Sequence, residues 1–303
     1  MKIAYVTYDG PDDDREVLLA AWSRAGIEGT AVRWEDPAAD WAAYDAAVVR
    51  STWNYIDRRQ EFVDWAYRAE TATRLLNPAA VLERNTDKTY LRDFQRLGIP
   101  IVPTHWVTAN DEAGLPERDD QTGLPEPDGH AGLRAWDDET GFPGWDDYVV
   151  KPAVSAGARD TIRTADAAEA RTHAGRIVAG GKVALVQPYL DMVESEGETS
   201  LIFFGGTFSH AVRRNAMLAK GTDAPRANHI GADLRDPAPD QLELAERVLE
   251  TIPEKLLYAR VDLVRLPDGT PALIELELTE PYFYLAYAPG APDRFTTALR
   301  DLL

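Results

Sequence analysis

The stretch YARVDLVRLPDGTPALIELEL, residues 258–278, does most to constrain the fold of this 303-residue chain. Asp268–Gly269 is a strong two-residue turn signal between two runs that alternate apolar and polar residues, so an antiparallel hairpin is expected here. With that turn, Asp262 lies opposite Glu275 and Arg260 opposite Glu277. All four project from one face, while Val261, Leu263, Ile274, Leu276 and Leu278 cover the other. Directly opposed residues hold their Cβ atoms about 5 Å apart. Two carboxylates at that separation repel by roughly 3 kcal/mol at an effective dielectric near 20. A divalent cation would relieve this, and Mg²⁺ takes oxygen ligands and bridges phosphates. The same spacing also fits a solvent-facing strand carrying an exposed Arg260–Glu277 pair, because like charges are tolerated on a wet surface.

The start of the chain has a different rhythm. Lys2 to Thr7 reads as a strand, followed by a helix in DDDREVLLAAWSRAGI with acids at its start and Gly26 past its end. DAAVVR (Asp45 to Arg50) reads as a second buried strand, and RRQEFVDWAYRAE as a helix with Phe62, Val63, Trp65 and Ala66 inward. This alternation predicts a parallel α/β unit over residues 1–78. A second unit is expected over 79–187, with a helix from about Asp87 to Leu97, a strand at Tyr148–Lys151, a helix near Ala165–Ala179 and the strand KVALVQ. Within it, about 110–147 is rich in Gly, Pro and acid and contains GLPE twice, which predicts an exposed insertion rather than a solenoid. A third unit, 188–303, holds two hairpins, ETSLIFFGGTFSHAVRR and the carboxylate hairpin, with a helix around Gln241–Thr251 between them. The fold class is therefore α/β combined with α+β.

With 51 acids against 32 bases and a formal net charge of −19, a phosphate-backbone binder is excluded, so nucleic acid is not an expected partner. The absence of cysteine removes disulfides, thiolate nucleophiles and Cys-ligated metals. No run of about 18 apolar residues is present, so no membrane partner is expected. The opening MKIAYVTYDG has no h-region, which points to a cytoplasmic location. A homo-oligomer is left open. An acidic chain can still bind a polyanion if it places its few bases deliberately and adds a divalent cation.

Two lysines fit that requirement. YVVKPAVSAGARDT puts Lys151 at the end of a strand, before a loop with Ser155, Gly157 and Thr161. Backbone N–H groups in such a loop can close on phosphate oxygens while the ammonium neutralises charge. Taken alone, Lys151 is explained better as a snorkelling lysine at a strand end. Lys88 sits in the first turn of its helix, where the macrodipole disfavours a cation, which makes sense if it leaves the helix to meet an anion. An ordinary solvated lysine beside Asp87 is the alternative. A turn at Gly205–Gly206 sets Glu198 opposite Arg213, either as a structural ion pair or with Arg213 turned to a phosphoryl or acyl oxygen.

The order of NTDK, LGIPIVPT, VVKP, VQPYL with EGETS, RVDLV and IELELTEP resembles that of the ATP-grasp ligases, in particular the glutathione-synthetase and D-alanine-ligase group. The likeness covers nearly the whole chain except about Thr108 to Asp146. It implies an ATP-grasp fold with an N-terminal parallel α/β domain and two α+β subdomains enclosing ATP. Lys88 and Lys151 would contact the phosphates, with Ser155 and Gly157 in the lid. Gln187, Pro188, Tyr189 and Leu190 would form the adenine-reading hinge, and Glu198 would meet the ribose. Asp262, Glu275 and Glu277 would hold Mg²⁺, and Arg213 would act with Lys151 on the transferring phosphoryl group. Such enzymes convert a carboxylate to an acyl phosphate, which a nitrogen nucleophile then attacks. The loop SAGARDT has fewer glycines than the usual phosphate lid, and Glu277 stands where the family usually has Asn.

VVRSTWNY places Arg50, Ser51, Thr52, Trp53 and Tyr55 just past a strand's C-terminal end, the edge where ligands bind in open α/β sheets. Arg50 could clamp a carboxylate, Ser51 and Thr52 could bond a small polar molecule, and Tyr282 could wall the pocket. A helix N-cap with Trp53 as core filler fits the same residues. The set RSTWNY, NPAAVLERNTDKTYL, VVKPAVSAGA and IELELTEPYFYL is similar to a bacterial ATP-grasp subgroup that includes the O-ureido-serine cyclo-ligase of D-cycloserine biosynthesis. That implies a small amino-acid-derived substrate whose own carboxylate is phosphorylated before ring closure. An intermolecular amide ligase and a catalytically silent nucleotide-binding module remain as alternatives. A Ser/His/Asp hydrolase is unsupported, because no G-x-S-x-G elbow is present.

Overall fold

A computed structural model describes residues 1–109, 136–137, 142–218 and 231–303. The N-terminal strands are β1 (Lys2–Thr7), β2 (Glu28–Arg33), β3 (Ala46–Ser51) and β4 (Arg74–Leu76), with α1 (Asp13–Arg24) and α2 (Arg59–Ala72) between them. They form one parallel sheet in the order β2-β1-β3-β4. β1 and β3 read as near-continuous apolar runs because both of their faces are covered. The chain order reverses between β1 and β3, so a crevice opens at the C-terminal ends of those strands. β2 was not expected, and its side chains are mostly exposed at the sheet edge, leaving no buried alternation to read.

Next come α3 (Ala79–Asn85) and α4 (Leu91–Arg96), separated by a 3-10 turn at Lys88–Tyr90. The single helix expected over Asp87–Leu97 is thus a tight turn plus a shorter helix. Asp87 caps the turn by accepting from the Thr89 N–H at 3.0 Å. β5 (His105–Val107), the two-residue ribbon β6 (Trp136–Asp137) and β7 (Phe142–Pro143), β8 (Tyr148–Pro152), β9 (Ile162–Thr164), α5 (Ala167–Ala179) and β10 (Ala184–Pro188) follow. The second sheet is antiparallel in the order β5-β10-β8-β9, and α5 packs on it. Most of the expected insertion, including both GLPE copies, lies outside the described residues. Its C-terminal end is not an exposed loop: Phe142 is buried against Tyr148, Val150 and α5.

The remaining elements are α6 (Met192–Ser195), β11 (Glu198–Phe204), β12 (Thr207–Arg214), β13 (Ala232–Arg235), α7 (Pro239–Glu250), β14 (Tyr258–Arg265), β15 (Pro271–Glu277) and α8 (Ala291–Leu302). Their sheet runs β13-β12-β11-β14-β15, with all four pairings antiparallel. α7 contributes Leu244, Ala245 and Val248 to a core that also contains Leu263, Leu276 and Leu91 and Phe94 of α4. The end of the chain returns to the beginning: Phe283, Phe295 and Leu299 share a core with Ile3, Tyr5, Leu18 and Trp22. Among the described residues no helix is long and apolar enough to cross a membrane.

Each hairpin carries one β-bulge, and these bulges decide which side chains reach the site. In β14–β15 the tip pairs Leu263 with Leu273, one residue out of the expected register, because three residues span the turn. An extra residue, Ile274, then restores Asp262 opposite Glu275 and Arg260 opposite Glu277. In β11–β12 the tip pairs Phe204 with Thr207 as expected, but Ser209 is extra, so Glu198 faces Arg214 rather than Arg213.

Candidate active site

The floor of the site is the end of β14–β15 away from their turn. Asp262 is fully buried, and its carboxylate oxygen can be chosen with one from Glu275 and one from Glu277 so that all three lie within 4.8 Å of one another. Two arginines hold this charge in place. Arg260, two residues before Asp262 on the same strand face, donates from Nε to Oδ1 at 2.9 Å and from Nη2 to Oδ2 at 2.9 Å, and also bonds Glu277. Arg214 donates from Nη2 to Asp262 Oδ2 at 2.8 Å and to Glu198 at 2.5 Å. Burial and neighbouring acids push the Glu277 carboxyl above the usual range, while Arg260 draws it down. The two guanidiniums hold the Asp262 carboxyl low against the opposing effect of its burial.

Lys88 leaves its 3-10 turn to reach this floor. Its Nζ donates to the Ser155 carbonyl at 2.7 Å and lies 3.1 Å from Glu275 Oε1. Lys151, on β8, lines the same pocket, and burial depresses its ammonium from the usual range. Ser155 and Gly157 follow in the loop above it. That loop is bent by a run of left-handed backbone: φ is 62° at Gly157, 56° at Ala158 and 60° at Asp160. The two non-glycine residues supply the curvature for which the loop lacks glycines, at about 1–2 kcal/mol each. The second sheet adds Gln187, Pro188, Tyr189 and Leu190, and Val102, Val149 and Ile274 give one end of the pocket an apolar lining. The other end is lined by Trp53, Tyr55, Glu280 and Tyr282.

Of the residues singled out from the sequence, Lys88, Lys151, Ser155, Gly157, Gln187, Pro188, Tyr189, Leu190, Glu198, Glu275, Glu277, Trp53, Tyr55 and Tyr282 line one pocket, with Asp262 beneath it. Four lie elsewhere. Arg213 faces away, donating to the carbonyls of Glu196 (2.7 Å) and Ser195 (3.2 Å), and the Ser209 bulge has put Arg214 in its place. Arg50 is buried under the segment that follows β15. It donates to the Pro281 carbonyl at 2.6 Å, sits 3.8 Å from Asp14, and its guanidinium carbon stands 3.5 Å from the Phe283 ring centroid. Ser51 bonds Thr7 at 2.7 Å and Asp12 at 2.6 Å, and Thr52 is fully buried. These groups brace the β1–β3 crevice and do not line the pocket.

Arg214, Arg260 and Glu280 are pocket residues that had no ligand role in the sequence reading. Glu280 belongs to the IELELTEP stretch, where it is a third carboxylate beyond the strand's end. Burial pushes its carboxyl up to about 8, with Glu277 adding to the rise.

An all-oxygen donor set suits a hard divalent cation. Glu275 and Glu277 have oxygens turned to the pocket, and Asp262 completes the trio from below, so the residues present fit Mg²⁺.

Comparison with known proteins identifies the relatives of this chain. Residues 3–77 match the family model described as the N-terminal domain of the D-cycloserine synthetase DcsG. Over 300 residues the chain is 32% identical to the cycloserine biosynthesis protein DcsG of Streptomyces lavendulae, covering 96% of this chain and 94% of that one. The crystal structure of D-cycloserine synthetase DcsG superimposes with a TM-score of 0.85 at 32% identity, covering 100% of this chain and 99% of the other. A RimK-domain ATP-grasp protein from Sphaerobacter thermophilus superimposes with a TM-score of 0.63 at 17% identity, over 100% of this chain and 99% of that one, and so shares the fold. An identity of 32% over nearly the whole length, the matching N-terminal domain and the shared architecture together make this chain an enzyme of the ligase class, a member of the D-cycloserine synthetase family with the fold of the ATP-grasp ligases.

Proposed function

We propose that the enzyme uses Mg·ATP to close O-ureido-D-serine into a ring, giving D-cycloserine with release of ADP and phosphate. One observation carries most of this reading: two buried-side lysines and the Asp262–Glu275–Glu277 trio converge on a single pocket, in a chain 32% identical to a cycloserine biosynthesis protein. The apolar end lined by Val102, Val149, Leu190 and Ile274 suits a base, with the backbone of 187–190 at its edge and Glu198 at the ribose. Lys88 and Lys151 neutralise phosphate oxygens, and the Ser155–Thr161 loop covers them. Glu275 and Glu277, with Asp262 below, would hold Mg²⁺, which when bound would neutralise phosphate charge.

The substrate carboxylate takes the γ-phosphoryl group and ADP departs. Nitrogen of the ureidooxy group then attacks the acyl carbon, its proton is lost, the C–N bond forms and phosphate leaves; water then cleaves the carbamoyl group from the ring nitrogen, which takes up a proton, and the carbamoyl carbon departs as carbamate, that is as CO2 and ammonia. Arg260 and Arg214 flank the floor where negative charge collects, and both are pre-aligned by Asp262. The protein's part is positioning and charge neutralisation, and a water-poor pocket raises the value of both. The partner is a small molecule, and the setting we assign is cytoplasmic.

The test is ADP release with O-ureido-D-serine as sole co-substrate, followed by mass spectrometry of the product. Substrate-dependent ADP and the mass of cycloserine are expected. ADP formed only when a separate amine is added would replace cyclisation with intermolecular amide formation. Full turnover by Lys151→Ala would remove the phosphate-site assignment.

A further inference from the structure

We propose that Glu280 is the specificity-determining carboxylate of the pocket, and that it binds an ammonium group on the substrate. This rests on reading the pocket as the ligase's substrate site, and adds which atoms the substrate must bring to it. The other acids of the floor have cationic partners within the protein. Asp262 has Arg214 and Arg260, Glu277 has Arg260, Glu198 has Arg214 and Glu275 has Lys88. Among the described residues no lysine or arginine forms an ion pair with Glu280, although the residue is 7% exposed and lines the pocket.

Its surroundings are built rather than accidental. The Tyr55 side chain lies beside its carboxyl, and Trp53 Nε1 donates to its backbone carbonyl at 3.1 Å, fixing the loop from the side of the N-terminal sheet. Trp53, Tyr55 and Tyr282 line the same end of the pocket. Aromatic side chains beside a carboxyl that pairs with no lysine or arginine among the described residues favour an ammonium, because ring quadrupoles and a carboxylate attract the same charge. Burial holds the Glu280 carboxyl toward its neutral form while no cation sits against it, and a ligand ammonium would favour the ionised carboxylate, so that ionisation and ligand binding go together. The nearby acids of the N-terminal unit are otherwise engaged. Asp12 accepts from Tyr5 and Ser51, and Asp14 accepts from the backbone N–H groups of Phe283 and Leu285.

The experiment pairs Glu280→Gln with a ligand lacking the amine. Steady-state ADP release is measured for the full-length wild type and variant with O-ureido-D-serine and with 3-(ureidooxy)propanoate. Calorimetric binding of D-serine and of 3-hydroxypropanoate is measured with Mg²⁺ and a non-hydrolysable ATP analogue present. For the variant, KM for O-ureido-D-serine should rise on the order of 100-fold while kcat stays within about 5-fold, as expected for losing a desolvated charge pair. The des-amino compound should be handled equally by both proteins, and the ATP analogue should bind both equally. Equal losses with the amino and des-amino compounds, or no loss with either, would overturn the assignment. If wild type releases no ADP with O-ureido-D-serine, the cyclisation reading fails and the binding data decide on Glu280. A wild-type preference for D-serine over 3-hydroxypropanoate that disappears in the variant supports it, and no such preference in wild type overturns it.

Discussion

Arg213 and Arg214 are neighbours on β12, yet only Arg214 touches the buried carboxylate, at 2.8 Å from Asp262. Side chains alternate across a strand, so a one-residue change of register exchanges their roles completely. Arg214→Ala leaves Asp262 and Glu198 with one guanidinium fewer in a buried setting, and removing one partner of such a pair destabilises by about 3–5 kcal/mol. We therefore expect ADP release by Arg214→Ala to fall by at least about 100-fold, with a lower melting temperature. Arg213 bonds two backbone carbonyls and Asn215 at the surface, so Arg213→Ala should keep activity within about 3-fold and lose only about 1 kcal/mol. Steady-state kinetics and thermal melts on both variants separate the two, and equal losses would contradict the register. Nothing in the composition of FFGGTFSHAVRR marks Ser209 as the extra residue, because a bulge is a local backbone choice settled by packing across three strands. Arg50 was illegible for another reason: the segment that buries it arrives from more than 230 positions later.

Elements were readable where their period was strong. The carboxylate hairpin came out with the right residues facing each other because two deviations cancel: a three-residue turn shifts the tip, and Ile274 shifts it back. The first hairpin has only one deviation, so its far end is displaced. That deviation has a use in the element itself. Ser209 Oγ lies 2.9 Å from His210 Nδ1 and accepts from Arg294 Nε at 2.9 Å, while His210 Nε2 donates to the Phe283 carbonyl at 2.8 Å. The hairpin is thereby tied to the segment that covers Arg50. Burial lowers the His210 imidazole to about 4, with the Arg294 charge adding to the effect. A histidine that is harder to protonate folded than unfolded leaves stability intact above about pH 6.5 and removes it as pH falls toward about 4. Between pH 7 and pH 5 this amounts to about 2 kcal/mol. Urea unfolding at the two pH values should show wild type losing about 2 kcal/mol more than His210→Asn, and equal losses would mean the imidazole is not held neutral.

At the scale of the whole molecule, a chain of net charge −19 has to concentrate cations where it receives a polyanion. Its pocket does this with Lys88 and Lys151 from one side and Arg214 and Arg260 from the other, contributed by the turn before α4, by β8, by β12 and by β14. The floor nevertheless keeps Glu275 close to the lysines and Glu277 next to Glu275, so a nucleotide without a metal would meet repulsion as well as attraction. A divalent cation reverses the sign of that contact, and nucleotide affinity should therefore depend steeply on it. Because the second and third sheets both line the pocket, a bound nucleotide stabilises the folded molecule by linkage, by about 2.7 kcal/mol at 100 times its dissociation constant. For a chain of this size that corresponds to a melting-temperature rise of about 5 °C. Thermal melts should show this rise with ADP and Mg²⁺ together, a much smaller one with ADP and a chelator, and loss of the metal-dependent increment in Glu275→Gln. An equal rise with and without the metal would show that the carboxylate trio does not mediate nucleotide binding, and Glu275 would then serve only as the counter-ion of Lys88.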